Sequence, residues 1–213
     1  MISNAVYRCC LILFLFIVLY GDVYAGDNLA GTLTNVRGKV EIIKTDTMQT
    51  KAAKPGDSLS AGELLSSGEN SLAQLVLTDD SVVNLLPESS LLMAQYNFTS
   101  ADNRRTTTIK VRGGGARFVV YKQRNRDSRF TVETGHASVS VGIADFFVNA
   151  SPKETEIVNI GRSFVVSHTS KLIAGKVHLD ANQKTVVAEK MPPSQPTTLN
   201  PAQRRIYLRN AAF

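Results

Sequence analysis

The stretch Ser71–Met93, SLAQLVLTDDSVVNLLPESSLLM, decides how the rest of the chain reads. Apolar and polar positions alternate from Leu72 to Leu77, and Asp79 and Asp80 make a polar break. Apolar residues resume from Val82 to Leu86, Pro87 stops them, and Leu91–Met93 opens a third run. Alternation with period two and a short polar interruption predict two strands joined by a turn, with a third strand after it. Asp and Ser suit the turn because their short side chains hydrogen-bond nearby backbone. Asp79 and Asp80, as neighbours in a tight turn, are expected to face water and not to form an acid–base pair.

The flanks repeat this plan. Gly31–Lys44 reads as strand, turn at Arg37-Gly38, strand, with Val40 and Ile42 on one face. Residues 45–54 are polar and read as a loop. Pro55-Gly56-Asp57 and Ala61-Gly62-Glu63 are turn signals, and Leu59, Leu64 and Leu65 supply core between them. Thr107–Arg112 alternates and ends at Gly113-Gly114-Gly115, after which Ala116–Tyr121 is β-like again. A phosphate loop needs a helix after its glycines. None follows here, so the glycines read as a bend between strands. Further short runs fill Phe130–Glu133, Ala137–Val141, Ile143–Val148, Thr155–Ile160, Arg162–Ser167, Lys171–Leu179 and Lys184–Ala188. Sustained helical periodicity is missing, so the fold class is all-β: many short strands in a solenoid-like or sandwich arrangement.

Both ends differ in character. In residues 1–25, Arg8 precedes the apolar run LILFLFIVLY (Leu11–Tyr20), and Val23-Tyr24-Ala25 resembles a cleavage site. The run is shorter than the roughly 20 apolar residues of a spanning helix, so it reads as a secretory signal. Residues 26–190 form the β domain. Residues 191–213 begin with four prolines in MPPSQPTTLNP, an extended linker. Asn200-Pro201 has the cap-and-proline signature of a short terminal helix, with Ala202, Ile206 and Tyr207 or Arg209 along one side; a frayed tail is the alternative, because so short a helix is marginal alone.

The formal net charge is +6, and it is concentrated. Arg104, Arg105, Lys110, Arg112, Arg117, Lys122, Arg124, Arg126 and Arg129 share their window with a single acid, Asp127. Such a segment attracts anions over about 8 Å in physiological salt. Nucleic acid is the usual partner of a basic patch, but an exported chain meets little of it. The expected partner is an envelope protein or an anionic glycan, with membrane contact only through the N-terminal segment if that stays uncleaved. The plain alternative is a solvated basic loop that binds nothing.

Catalytic chemistry leaves no signature. His136, His168 and His178 are not at metal-ligand spacing, and Cys9 and Cys10 lie in the leader. Ser138 and Ser163 are outside any Gly-x-Ser-x-Gly elbow. Neither a cofactor nor a metal is expected, and the chain reads as a non-enzyme.

The order of turns is similar to the FecR-type periplasmic domain, from about Gly31 to Pro196. The pieces are Gly31-x-x-x-x-Val36-x-Gly38-x-Val40, Pro55-Gly56-Asp57-x-Leu59-x-x-Gly62-x-x-Leu65, and Ser71-x-Ala73-x-Leu75-x-Leu77-x-Asp79-Asp80-Ser81, where the family usually has Asp-Gly-Ser. Leu85-x-Pro87-x-Ser89, the glycines at 113–115 and Phe130-x-Val132-x-Thr134 follow. The family's next segment, Arg-Gly-Thr before a Phe-x-Val strand, is replaced by Val141-Gly142-Ile143-Ala144-Asp145-Phe146. The resemblance implies an all-β envelope domain. Its best-known members relay a signal from an outer-membrane iron–siderophore receptor through a membrane helix to a cytoplasmic anti-sigma segment. With eight residues before an apolar stretch counted from Cys9, this chain is expected to lack that segment. The reading is therefore a non-catalytic exported module that binds a partner through the basic segment. A FecR-type sensor in transmembrane signalling is the alternative, and a carbohydrate-active β enzyme the third.

Overall fold

The computed structural model describes residues 29–121 and 125–212. The expected signal segment, Lys122 and Arg124 lie outside the described residues.

Among the described residues, seventeen strands and one helix follow one another. The first eight strands are β1 (Leu29–Arg37), β2 (Val40–Lys44), β3 (Thr50–Ala52), β4 (Ser58–Ser60), β5 (Glu63–Ser67), β6 (Leu72–Leu77), β7 (Val82–Leu85) and β8 (Ser90–Thr99). A long β9 (Arg104–Val120) comes next. Then come β10 (Arg129–Glu133), β11 (Ala137–Val141), β12 (Ala144–Ala150), β13 (Glu154–Asn159), β14 (Phe164–His168), β15 (Lys176–Leu179), β16 (Gln183–Ala188), β17 (Thr197–Thr198) and α1 (Pro201–Asn210).

The pairings make two sheets. The first runs β4-β1-β6-β7-β9-β12-β13-β16-β17. The second runs β3-β2-β5-β8-β9-β10-β11-β14-β15. Among these pairs only β9–β10 is parallel. The sheets meet face to face over one apolar cluster that draws on both, including Leu33, Leu75, Phe118 and Phe146 from the first and Ile42, Leu65, Ile109 and Phe130 from the second. Phe118 stacks on Phe146 at 5.2 Å and meets Phe130 edge-on at 6.3 Å, and Phe146 meets Phe164 at 5.2 Å. The arrangement is thus a sandwich, one of the two forms expected.

Strand β9 belongs to both sheets. Arg104–Gly113 pairs with β8 in the second sheet, whereas Gly114–Val120 pairs with β12 in the first. The glycine run is the corner between them: the expected bend is present, but inside one continuous strand. Gly114 has φ +73, and an added Cβ would lie 2.3 Å from Ser89 Oγ and 2.5 Å from the Glu88 carbonyl oxygen. Gly114→Ala is therefore expected to cost about 2 kcal/mol or more, through overpacking and an unfavourable backbone. A urea midpoint equal to wild type would show that the corner relaxes freely.

Three readings of the sequence change. Thr50–Ala52, within the expected loop 45–54, is an edge strand because its backbone pairs with Glu41–Ile43. Residues 171–175, expected to be strand, form a turn and loop ahead of β15. The proline-rich segment lies back on the body: Ser194 Oγ accepts from the Val186 N–H at 3.0 Å, and Thr185 Oγ1 donates to the Ser194 carbonyl at 2.7 Å.

Helix α1 begins as its sequence suggests. Asn200 caps it, the Asn200 and Gln203 side chains completing a reciprocal capping box with Pro201 in the first turn. Of the residues expected along one side, Tyr207 packs inward, whereas Ala202, Ile206 and Arg209 are exposed. Ile206 is half exposed, while Tyr207 and Leu208, with Leu199 and Ala211, pack on Phe147, Val158 and Ile160. Phe147 and Val158 sit on the outer face of the first sheet, so this terminal segment covers an apolar patch that would otherwise meet water.

Candidate functional site

The nine basic residues do not form one patch. Along the first half of β9, Arg105, Thr107, Ile109 and Val111 are buried, while Arg104, Lys110 and Arg112 are exposed on the opposite face. Arg129 opens β10 beside Thr106, and Glu133 lies beside Lys110. The outer face of the second sheet therefore carries Arg104, Lys110, Arg112 and Arg129, with exposed Arg126 in the preceding loop. Lys110 approaches Glu133 at 3.5 Å but stays half exposed, a contact of little energetic weight.

Arg105 leaves the proposed binding set, because it is wholly buried. Its guanidinium is paired with Asp79, itself 2% exposed. Arg105 also donates to Ser81 Oγ at 3.2 Å and to the Tyr121 and Gly142 carbonyls at 3.3 Å each, and lies 5.0 Å above the Phe130 ring. The expectation that Asp79 faces water is thus overturned. Its Oδ1 also accepts from the Ser81 N–H, and its own N–H donates to Tyr96 Oη at 3.1 Å. Burial, with Asp79 close by, pushes the Tyr96 phenol up to about 12. The Tyr96 hydroxyl therefore stays protonated at neutral pH. Asp80 takes the left-handed conformation, φ +67, at the place where the family pattern has glycine. The carbonyl of Gly142, within the segment that replaces Arg-Gly-Thr, is thus held by Arg105.

Arg117 is also committed. It points to the outer face of the first sheet and grips Asp145 with two bonds of 2.9 and 2.8 Å. It lies 5.6 Å over the Phe147 ring. Hydrogen bonding to Asp145 holds its guanidinium above the usual range against the opposing effect of burial.

A cavity of about 750 Å³ opens beside the end of α1 on that face. Arg37 and Arg209 lie on its wall with Glu154, Glu156, Asn149 and Gly115. Glu156 accepts from Tyr207 Oη at 2.6 Å and Lys184 Nζ at 2.8 Å. Burial raises its carboxyl, but Lys184, Tyr207 and Asn149 outweigh that and hold it below its ordinary value of 4.5. A depressed carboxylate contributes stability above its unfolded pKa and loses it as pH falls. Hydrogen-exchange protection of α1 is accordingly expected to fall below about pH 4.5, ahead of the core strands. Tyr207→Phe should weaken α1 docking by about 1–2 kcal/mol at neutral pH. Protection of α1 that follows the core at every pH would contradict this coupling.

His136 and His168 are buried, each with Nε2 against a backbone carbonyl, of Pro152 at 3.2 Å and of Glu189 at 3.0 Å. His178 is exposed. Ser163 Oγ donates to the Asp180 carboxylate at 2.7 Å, a pair exposed at the surface. Among the described residues, no group of three or more His, Cys, Asp or Glu side chains could hold a metal ion. Nor is any described helix long and apolar enough to cross a membrane.

The model of the FecR protein family matches residues 63–161, the span from β5 through β13. The chain carries a FecR-type domain. The FecR-type span contains the shared strand β9, the Asp79–Arg105 pair and the basic outer face. Two crystal structures of a candidate anti-sigma factor from Parabacteroides distasonis ATCC 8503 are similar, each with a TM-score of 0.53. Their identities are 19% and 18%, and each likeness covers 68% of this chain, with 64% and 63% of the other. The likeness is therefore one of fold, and this chain spans slightly under two thirds of those structures' length. No curated protein matches it.

Proposed function

We propose that this FecR-type domain is a non-catalytic, exported regulatory module. It holds an anionic surface, on a partner protein or an envelope polymer, against the outer face of its second sheet. One observation carries the reading: within the FecR-matched strands, Arg104, Arg112 and Arg129 stay exposed on one face, whereas Arg105 is spent inside the fold and Arg117 is held by Asp145 on the outer face of the other sheet. Export rests on the sequence of residues 1–25, with the domain in the periplasm or envelope.

Charge reversal tests this. Arg112→Glu with Arg129→Glu should release the protein from its host's envelope fraction at low salt while leaving its circular dichroism intact. Wild-type retention should itself fall as salt rises, because exposed charges are screened. Retention indifferent both to salt and to the double substitution would exclude the basic face as the contact. The fold shared with a candidate anti-sigma factor favours a second reading, in which the domain passes a signal towards a transcription regulator. Loss of a target gene's response in the same double variant would support it.

A further inference from the structure

Four connections gather at the end of the sandwich where β9 turns its corner: β10–β11, β12–β13, β14–β15 and β16–β17. They are tied together. The Thr169 N–H donates to the His136 carbonyl at 2.9 Å. The His136 ring meets the Pro152 carbonyl and the His168 ring meets the Glu189 carbonyl. Gly175 approaches Pro192 so closely that an added Cβ would lie 2.8 Å from the proline Cβ. The two imidazoles sit inside this cluster with 6.3 Å between ring centroids.

What the cluster shows to solvent is apolar at its tips. Leu172, in the turn that replaces expected strand, is 96% exposed, and Met191 in the neighbouring loop is 62% exposed. A single exposed leucine is ordinary. Here two apolar tips stand on adjoining loops that are fastened to each other, with exposed Lys153, Lys171, Lys176 and Lys190 around them. None of the four lysines is in an ion pair of the described residues. Glu154 and Glu189 are the exposed acids beside them, so ammonium groups remain in excess.

We infer that this end of the domain is a contact surface for an anionic lipid layer, with Leu172 and Met191 entering the headgroup–acyl boundary and the lysines resting on the lipid phosphates. Convex apolar tips ringed by cations match an interface that is apolar beneath and anionic above. The surface is separate from the basic face of β9 and β10. Its residues are distant in sequence from the N-terminal apolar run, which the sequence made the sole membrane contact.

The test uses the full chain with Cys9→Ser and Cys10→Ser, carrying an environment-sensitive nitrobenzoxadiazole label at Leu172→Cys. A second labelled chain, Gln95→Cys, reports from the outer face of the second sheet. Vesicles of phosphatidylglycerol with phosphatidylcholine are compared with phosphatidylcholine alone. The label at 172 is expected to blue-shift and brighten on the anionic vesicles, with no change at 95. Each of Lys171→Glu and Lys190→Glu should lower partitioning by about fivefold or more. An unchanged label at 172 on anionic vesicles, or equal responses at 172 and 95, would overturn the inference. So would a response at 172 that requires an envelope protein instead of lipid. The local label distinguishes this contact from insertion of the N-terminal segment, which would bind vesicles without moving the spectrum at 172.

Discussion

Asp79→Ala is expected to cost about 3–5 kcal/mol of stability, read as a lowered urea midpoint. The substitution leaves the Arg105 guanidinium wholly buried without its carboxylate, and an uncompensated buried charge is far more costly than a lost surface pair. Arg105 reaches Ser81, Tyr121 and Gly142 in the same environment, so three connections between strands loosen with it. Asp79→Asn keeps an acceptor for the Ser81 N–H while removing the charge, and should fall between wild type and alanine. Replacing both partners, Asp79→Leu with Arg105→Met, should cost less than Asp79→Ala alone, because the buried charge leaves with its partner. A loss under about 1 kcal/mol for Asp79→Ala would mean that the pair behaves like an exposed one.

Removing residues 199–213 should cost about 3 kcal/mol or more, on the scale of 1.5–3 kcal/mol for each large apolar side chain returned to water. Leu199 and Ala211 disappear from the second apolar cluster, and Phe147 and Val158, both now fully buried, lose their cover. The truncated chain should bind a hydrophobic dye such as ANS and aggregate at lower temperature. The Asn84 side chain also loses the Ala211 carbonyl, to which it donates at 3.2 Å. Wild-type stability without dye binding would show that the terminal segment is a passive tail.

The hairpin of β6 and β7 and the cap of α1 were legible because local chemistry sets them: alternation, a polar turn, and asparagine before proline. The Asp79–Arg105 pair was not, since its members are 26 residues apart and a tight Asp-Asp turn looks solvent-facing in isolation. A signal for Arg105 did exist. It shares strand parity with Thr107, Ile109 and Val111, all inward, whereas Arg104 has the parity of Lys110 and Arg112. Past the glycine corner the parity changes: Ala116, Phe118 and Val120 point inward and Arg117 outward. Counting charge along the segment merged residues that a period of two separates. Docking of α1 was illegible for another reason. Phe147 and Val158 face outward on β12 and β13, and nothing near them in sequence shows that a segment roughly forty to sixty residues later covers them.

Photocrosslinking from the outer face of the second sheet tests the binding proposal most directly. A benzophenone amino acid at Thr131, which pairs with Thr108 between the exposed cations, is activated in intact host envelopes. Val119, on the outer face of the first sheet, serves as the comparison. A crosslinked partner at 131 that disappears with Arg112→Glu and is missing from 119 is the expected result. Crosslinks from 119 alone, or from 131 unaffected by the charge reversal, would contradict a basic-face contact.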